Sequence, residues 1–253
     1  MSGAPNERAN HYSYSVYADP VMAESFDGLR FSGPIGEMIA RTQEQVIAGF
    51  LAPIERQTLL DVGTGTGRAA IAMAKRGAIV TGVDASAEML AVARRRAEAA
   101  GARVDFQQGD AHGLLQPDRS FDTVVCLRVL MHTPDWRGSL GELCRVASSK
   151  VVFDYPALVS AAALQAAVRR VAHAAGARVE AYRVFSDASV RRELAKHGFR
   201  IGAAHRQFVL PIAFHKRISS AAATERLEGA LAAVGLRWLL GSPVTVVAER
   251  CAR

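Results

Sequence analysis

The run Leu59-Leu60-Asp61-Val62-Gly63-Thr64-Gly65-Thr66-Gly67-Arg68 restricts the fold of this chain more than any other stretch. Residues 57–62 are apolar and β-compatible and read as a buried strand. Three glycines at alternate positions follow, leaving a turn without side chains where the backbone can take positive φ or approach a ligand. A helix beginning near Thr66 then runs through Ala69-Ala70-Ile71-Ala72-Met73-Ala74. Its first N–H groups have no intrahelical partner and point back at the turn, as an anion site does. A dinucleotide fold asks for Gly-x-Gly-x-x-Gly, whose third glycine permits close helix–strand packing. Here Arg68 holds that place, and the spacing is Gly-x-Gly-x-Gly, preceded by Asp61.

The rest of the chain repeats this strand–helix rhythm. Strands are predicted at 78–84, 103–107, 120–127 and 150–154, with helices after the second and fourth strands. Ser32-Gly33-Pro34 opens an earlier helix that Pro53 stops. Ser86 caps the helix that ends at Gly101, and Thr133-Pro134-Asp135 reads as a helix start of cap, proline and acid in order. Beyond Tyr155-Pro156 an alanine-rich helix covers 157–175, and further helices cover 186–197 and 216–236. Strands at 199–211 and 243–250 complete a set of seven. Strands alternating with helices imply right-handed βαβ units. The fold class is therefore α/β: a doubly wound, seven-stranded, mostly parallel sheet with helices on both faces and an antiparallel last strand. The whole chain, 1–253, reads as one domain, with an N-terminal arm at 1–18 and a helical insertion or cap at 156–185.

Three acids stand at the ends of successive strands. Asp84 closes the second strand, about twenty residues past the glycine turn, where a carboxylate accepts from ribose hydroxyls. Asp110 follows the third strand in Gln108-Gly109-Asp110-Ala111, placed to accept from an exocyclic amine. Together with Asp61 they outline the crevice in which open α/β sheets bind ligands. This ensemble resembles the class I S-adenosylmethionine-dependent methyltransferases, in their small-molecule, type 11-like branch. The likeness is strong over 57–154 and includes Phe121-Asp122-Thr123-Val124-Val125-Cys126, Glu142-Leu143-Cys144-Arg145-Val146 and, later, His197-Gly198-Phe199. It implies a Rossmann-like fold, S-adenosyl-L-methionine as cofactor, and transfer of a methyl group to O or C of a small molecule. The implied cofactor contacts are Asp61, Gly63, Thr64, Gly65, Gly67, Asp84, Ala85, Met89, Asp110, Ala111, Leu127 and Arg128.

His132 leaves the fourth strand at the crevice and is the candidate general base. A loop histidine that packs or caps locally is the alternative. Tyr12, Tyr17, His132 and Tyr155 are the candidate acceptor contacts, with packing of an N-terminal arm the rival role for Tyr12 and Tyr17. Arg128 lines the cofactor or holds an acidic substrate. The histidines show no metal-ligand spacing, so no metal is assigned.

Composition trims the alternatives. The net charge of +7 would suit nucleic acid, but only four residues are lysine and the arginines are spread along the chain, so no nucleic-acid partner is expected. Cys126, Cys144 and Cys251 are far apart and odd in number, consistent with reduced thiols in the cytoplasm. No apolar run is long enough for a membrane span, and the N-terminus lacks a signal-peptide core. The segments 155–183 and from 216 onward either cap an apolar substrate, complete packing or form a homodimer contact. The competing functions are an RNA or protein methyltransferase, an NAD-dependent oxidoreductase and a non-catalytic Rossmann-like binding protein.

Overall fold

The computed structural model describes residues 19–174 and 182–252. The arm at 1–18, with Tyr12 and Tyr17, lies outside the described residues, as do 175–181 within the expected insertion. The elements run α1 (Pro20–Phe31), α2 (Gly33–Leu51), β1 (Thr58–Val62), α3 (Arg68–Ala74), β2 (Ile79–Asp84), α4 (Ala87–Ala99), β3 (Val104–Gln108), β4 (Phe121–Cys126), α5 (Trp136–Val146) and β5 (Ala147–Tyr155). They continue with α6 (Ala161–Ala174), α7 (Asp187–Lys196), β6 (Phe199–Phe208), α8 (Ile212–Ile218), α9 (Ala221–Ala233), α10 (Leu236–Leu240) and β7 (Ser242–Arg250).

The seven strands form one sheet in the order β3-β2-β1-β4-β5-β7-β6. Pairings among β1 to β5 are parallel, and β7 lies antiparallel between β5 and β6. The expected seven-stranded sheet with an antiparallel last strand is what forms. The order reverses at β1 and β4, so their carboxyl ends open the crevice of a doubly wound sheet.

Both sheet faces are covered, which is why the central strands are apolar throughout. Val124, Val151 and Val246 face α5 and α7, meeting Leu140, Leu143, Val190 and Leu194. Their neighbours Val125, Val152 and Val247 face the other way, toward Ile47 and Leu51 of α2, Met73 of α3 and Leu90 of α4.

Local chemistry sets most helix starts. Ser86 Oγ accepts from Met89 N at 3.0 Å and Ser186 Oγ from Ser189 N at 3.2 Å, as the sequence signals require. Three local expectations are corrected. The cap of α5 is Asp135, which accepts from Gly138 N at 3.1 Å, whereas Thr133 donates to Leu130 O. The helix expected over 216–236 is three short ones, interrupted where Ser219 (φ 55°) and Gly235 (φ 80°) take the left-handed conformation. Helix α1 is an addition: Asp19 caps it and Pro20 fills its first turn, a start signal as clear as the one at Thr133.

Candidate active site

The crevice is a cavity framed by the ends of β1 to β4 and roofed by α1. Its floor is the glycine turn. Gly63 N and Thr64 N both donate to Val83 O of β2, at 2.7 and 3.0 Å, and Gly65 N donates to Asp84 Oδ2 at 2.7 Å. The turn is therefore tied to the neighbouring strand rather than held by its own helix.

The glycines do different work. A Cβ on Gly63 would lie 2.2 Å from Val129 Cγ2, so this glycine admits the loop after β4 onto the turn. Gly67 (φ 79°) does not line the cavity. A Cβ there would stand 3.1 Å from both Ala93 Cβ and Phe106 Cζ, so it permits close packing of α3 and α4 on the sheet. That is the role a dinucleotide fold gives its third glycine, moved one position earlier, and it corrects the expectation of a cofactor contact at Gly67. The expected helix-terminal anion site also shrinks, since α3 has only seven residues and starts with Arg68.

Three of the carboxylates that face the cavity come from the strand ends. Asp61 is 2% exposed and accepts from Thr64 Oγ1 at 2.7 Å. Burial pushes its carboxyl up to about 6, partly opposed by that hydroxyl. Asp84 Oδ1 accepts from Ser86 N at 2.9 Å and Oδ2 from Gly65 N at 2.7 Å; burial raises its pKa against both bonds. A carboxylate has about four acceptor sites, so each oxygen keeps capacity for a ligand hydroxyl. Asp110 Oδ1 accepts from His112 N at 2.9 Å and meets His112 Nδ1 at 2.8 Å. His112, absent from the expected set, thus fixes the orientation of Asp110 and lines the cavity itself.

Ala85, Met89, Ala111, Leu127, Arg128 and His132 all line the cavity. His132 is 7% exposed, at the end of a turn in which its N–H donates to Val129 O at 2.8 Å. Arg128 takes φ 60°, a left-handed conformation strained for a non-glycine residue. Its N–H donates to Asp154 Oδ1, and Asp154 is 3% exposed at the end of β5. Tyr155 does not reach the cavity. It is buried among Phe153 and Phe185, its hydroxyl 3.1 Å from Asp187 Oδ1, because the strand's alternation turns it toward the α7 side of the core. The expected acceptor contact at Tyr155 is corrected to a packing role.

Sequence reasoning missed the roof. Phe26, Asp27, Arg30 and Phe31 of α1 line the cavity. Asp27 accepts from Thr66 Oγ1, at 3.1 Å to each carboxylate oxygen, and pairs with Arg96 of α4. Phe31 lies under the Arg68 and Arg128 guanidiniums, 4.2 and 5.5 Å from their carbons to the ring centroid. The Asp19-Pro20 start signal would have revealed the helix, though not where it docks. Among the described residues no group of three metal-ligating side chains occurs, and no helix is long and apolar enough to cross a membrane.

Residues 59–150 match the family model of a methyltransferase domain. The match covers somewhat more than a third of the chain. The chain is 42% identical over 103 residues to the demethylmenaquinone methyltransferase of Thermus thermophilus, covering 39% of this chain and 47% of that one. Over 166 residues the chain is 30% identical to the chloroplastic magnesium protoporphyrin IX methyltransferase of Arabidopsis thaliana, covering 65% and 51% respectively. The chain thus spans about half the length of these curated relatives. Among solved structures, the magnesium protoporphyrin IX methyltransferase of Synechocystis PCC 6803, with bound SAM, superposes with a TM-score of 0.65. It shares 18% identity over 99% of this chain and 100% of that one, a likeness that shows the methyltransferase fold.

Proposed function

We propose that this protein binds S-adenosyl-L-methionine and transfers its methyl group to O or C of a small-molecule acceptor. One observation carries the reading: three carboxylates at the ends of three successive strands converge on one cavity beside a glycine turn. Asp61 and Asp84 are desolvated and offer only acceptors when ionised, so the fitting ligand brings positive charge and several hydrogen-bond donors. S-adenosylmethionine has that chemistry, with an ammonium, a ribose diol and an exocyclic amine. Asp61 would take the ammonium, Asp84 the diol and Asp110 the amine, with Gly63, Thr64, Gly65, Ala85, Met89, Ala111 and Leu127 shaping the cradle.

When bound, the cofactor would supply an electrophilic methyl group on cationic sulfur, with the thioether as leaving group. The protein's part is mainly positioning, holding acceptor and donor about 3 Å apart in line. His132 removes the acceptor's proton where there is one to lose. The acceptor is a small, largely apolar molecule, in keeping with Phe26, Phe31, Leu127 and Val129 in the lining and with the acceptors for which the relatives are named.

Differential scanning fluorimetry with S-adenosylhomocysteine and with NAD tests this reading. S-adenosylhomocysteine raises Tm by several degrees at saturating concentration, and NAD leaves it unchanged. Stabilisation by NAD alone would replace the methyltransferase reading with the oxidoreductase one.

A further inference from the structure

The antiparallel edge of the sheet carries large apolar side chains that stand in solvent. β6 runs in the same direction as β1, so its last residue, Phe208, lies at the crevice end, paired with Ser242 of β7. Three exposed segments meet around that pair. Helix α8 starts just after Phe208 and exposes Phe214. Helix α10 ends just before Ser242 and exposes Trp238 and Leu239. The turn after β5 joins them, because Ala157 N donates to Ser242 Oγ at 3.2 Å, and it exposes Leu158 and Val159. Trp238 is 80% exposed, although tryptophan is on average a highly buried residue. Clustered exposed apolar groups of this kind mark interaction surfaces.

These side chains are not a loosened core. On the inner side, Ile212 of α8 and Ala221 of α9 pack with Phe31, Ile35 and Phe208. Beneath them Glu228 accepts from Val209 N and Leu210 N, at 2.9 and 3.0 Å, and meets His215 Nε2 at 2.9 Å. His215 Nδ1 lies 3.3 Å from Thr224 Oγ1. The inner positions of α8 and α9 are thereby filled, and the register of α8 holds Phe214 outward. In α10 no residue is buried. Charge on this platform is one-sided. Over residues 211–240 the exposed ions are Lys216, Arg217 and Arg226 against one acid, Glu225. The other acid of the segment, Glu228, is spent in the buried network.

Aromatic and aliphatic groups beside Lys and Arg match an anionic membrane surface: the rings enter the headgroup boundary and the cations meet lipid phosphates. A second copy of this chain would bring like charge to the contact, which opposes a dimer through this face. We propose that α8, α10 and the turn at 158–159 form a docking surface for an anionic lipid bilayer. Docked there, the molecule turns the crevice end of the sheet toward the lipid. The surface stands on exposure and charge, independently of the methyltransferase reading.

The test is cosedimentation of the full chain with two kinds of vesicle, phosphatidylcholine alone and phosphatidylcholine with about 30 mol% phosphatidylglycerol. The protein partitions about tenfold or more in favour of the anionic vesicles, and about 1 M salt removes that preference. Trp238 emission moves to shorter wavelength on binding, while Trp136, already 5% exposed, contributes no shift. Trp238→Ser with Leu239→Ser, and separately Lys216→Glu with Arg217→Glu, each lower the partition by about tenfold or more. Both pairs alter exposed side chains, so a thermal melt shows the parent Tm. Absence of vesicle binding, equal partition onto both vesicles, or undiminished partition of the Trp238→Ser, Leu239→Ser protein overturns the proposal. So does a dimer in sedimentation velocity that those two substitutions dissolve, which would assign the face to a second copy.

Discussion

Asp61 illustrates how a single buried group ties stability to ligand binding. Its carboxyl titrates near 6 in the folded protein, above the ordinary value of 3.8. The raised value means the folded state holds its proton more tightly than the unfolded chain does. Stability from this group is present below about pH 4, falls as pH rises toward about 6, and is then gone; the buried ion costs about 3 kcal/mol at neutral pH. A cationic ligand group recovers that cost. S-adenosylhomocysteine therefore binds more tightly as pH rises from about 5 to about 7, and calorimetric titration across that range measures it. Asp61→Asn removes the pH dependence in this window and raises the Tm of the unliganded protein at neutral pH. His132 makes a different claim. If it takes a proton in the transition state, His132→Ala lowers kcat by about 10²–10⁴ with S-adenosylhomocysteine affinity unchanged. A loss under about tenfold, measured by single-turnover kinetics, removes the base role.

At the scale of elements, what the glycine turn does depends on what packs around it. Gly67→Ala places a methyl group 3.1 Å from Ala93 and Phe106 in a left-handed backbone. Strain and overpacking together destabilise by about 2–4 kcal/mol, read as a lower urea midpoint with an unchanged m-value. The three glycines look alike in sequence, and their division of labour was not legible there. It follows from which helix and which loop lie against each one. Helix α1 was missed for a related reason. Its apolar face is short, with only Ala23 fully buried, so periodicity is weak and only the Asp19-Pro20 cap announces it. Its docking through Asp27 to Thr66 joins residues 39 apart, which no local pattern encodes. Tyr155 is the converse case. Its position after β5 is legible, but the direction of its side chain depends on the face of the sheet it lands on.

Across the whole molecule, chemistry and anchorage sit at opposite ends of the sheet. The strand ends at Val62, Asp84, Gln108 and Cys126 carry the cavity. At the other end the Arg250 guanidinium donates to Cys144 O, Ala147 O and Ser148 O and stacks over Phe199 at 4.5 Å. This residue locks the antiparallel β7 against the start of β5 and β6. Arg250→Ala orphans three carbonyls and lowers stability by about 2–3 kcal/mol, while S-adenosylhomocysteine affinity in the folded protein is unaffected. Chemical denaturation paired with a binding titration shows the separation.

The sequence by itself determined the strand–helix alternation, the covered parallel core and the three acids at strand ends, because each is written in local periodicity and in residues adjacent to a turn. It also marked Ser86 and Ser186 as caps, since a cap bonds within three residues. Only the tertiary structure decided which cations share the cavity with those acids, that α1 roofs it, that Gly67 serves packing and that Tyr155 serves the core. Those outcomes depend on side chains brought together from distant segments. At the glycine turn itself, the chain states where a ligand can approach; the packing of Val129, Ala93 and Phe106 around it decides which of its glycines is left to meet one.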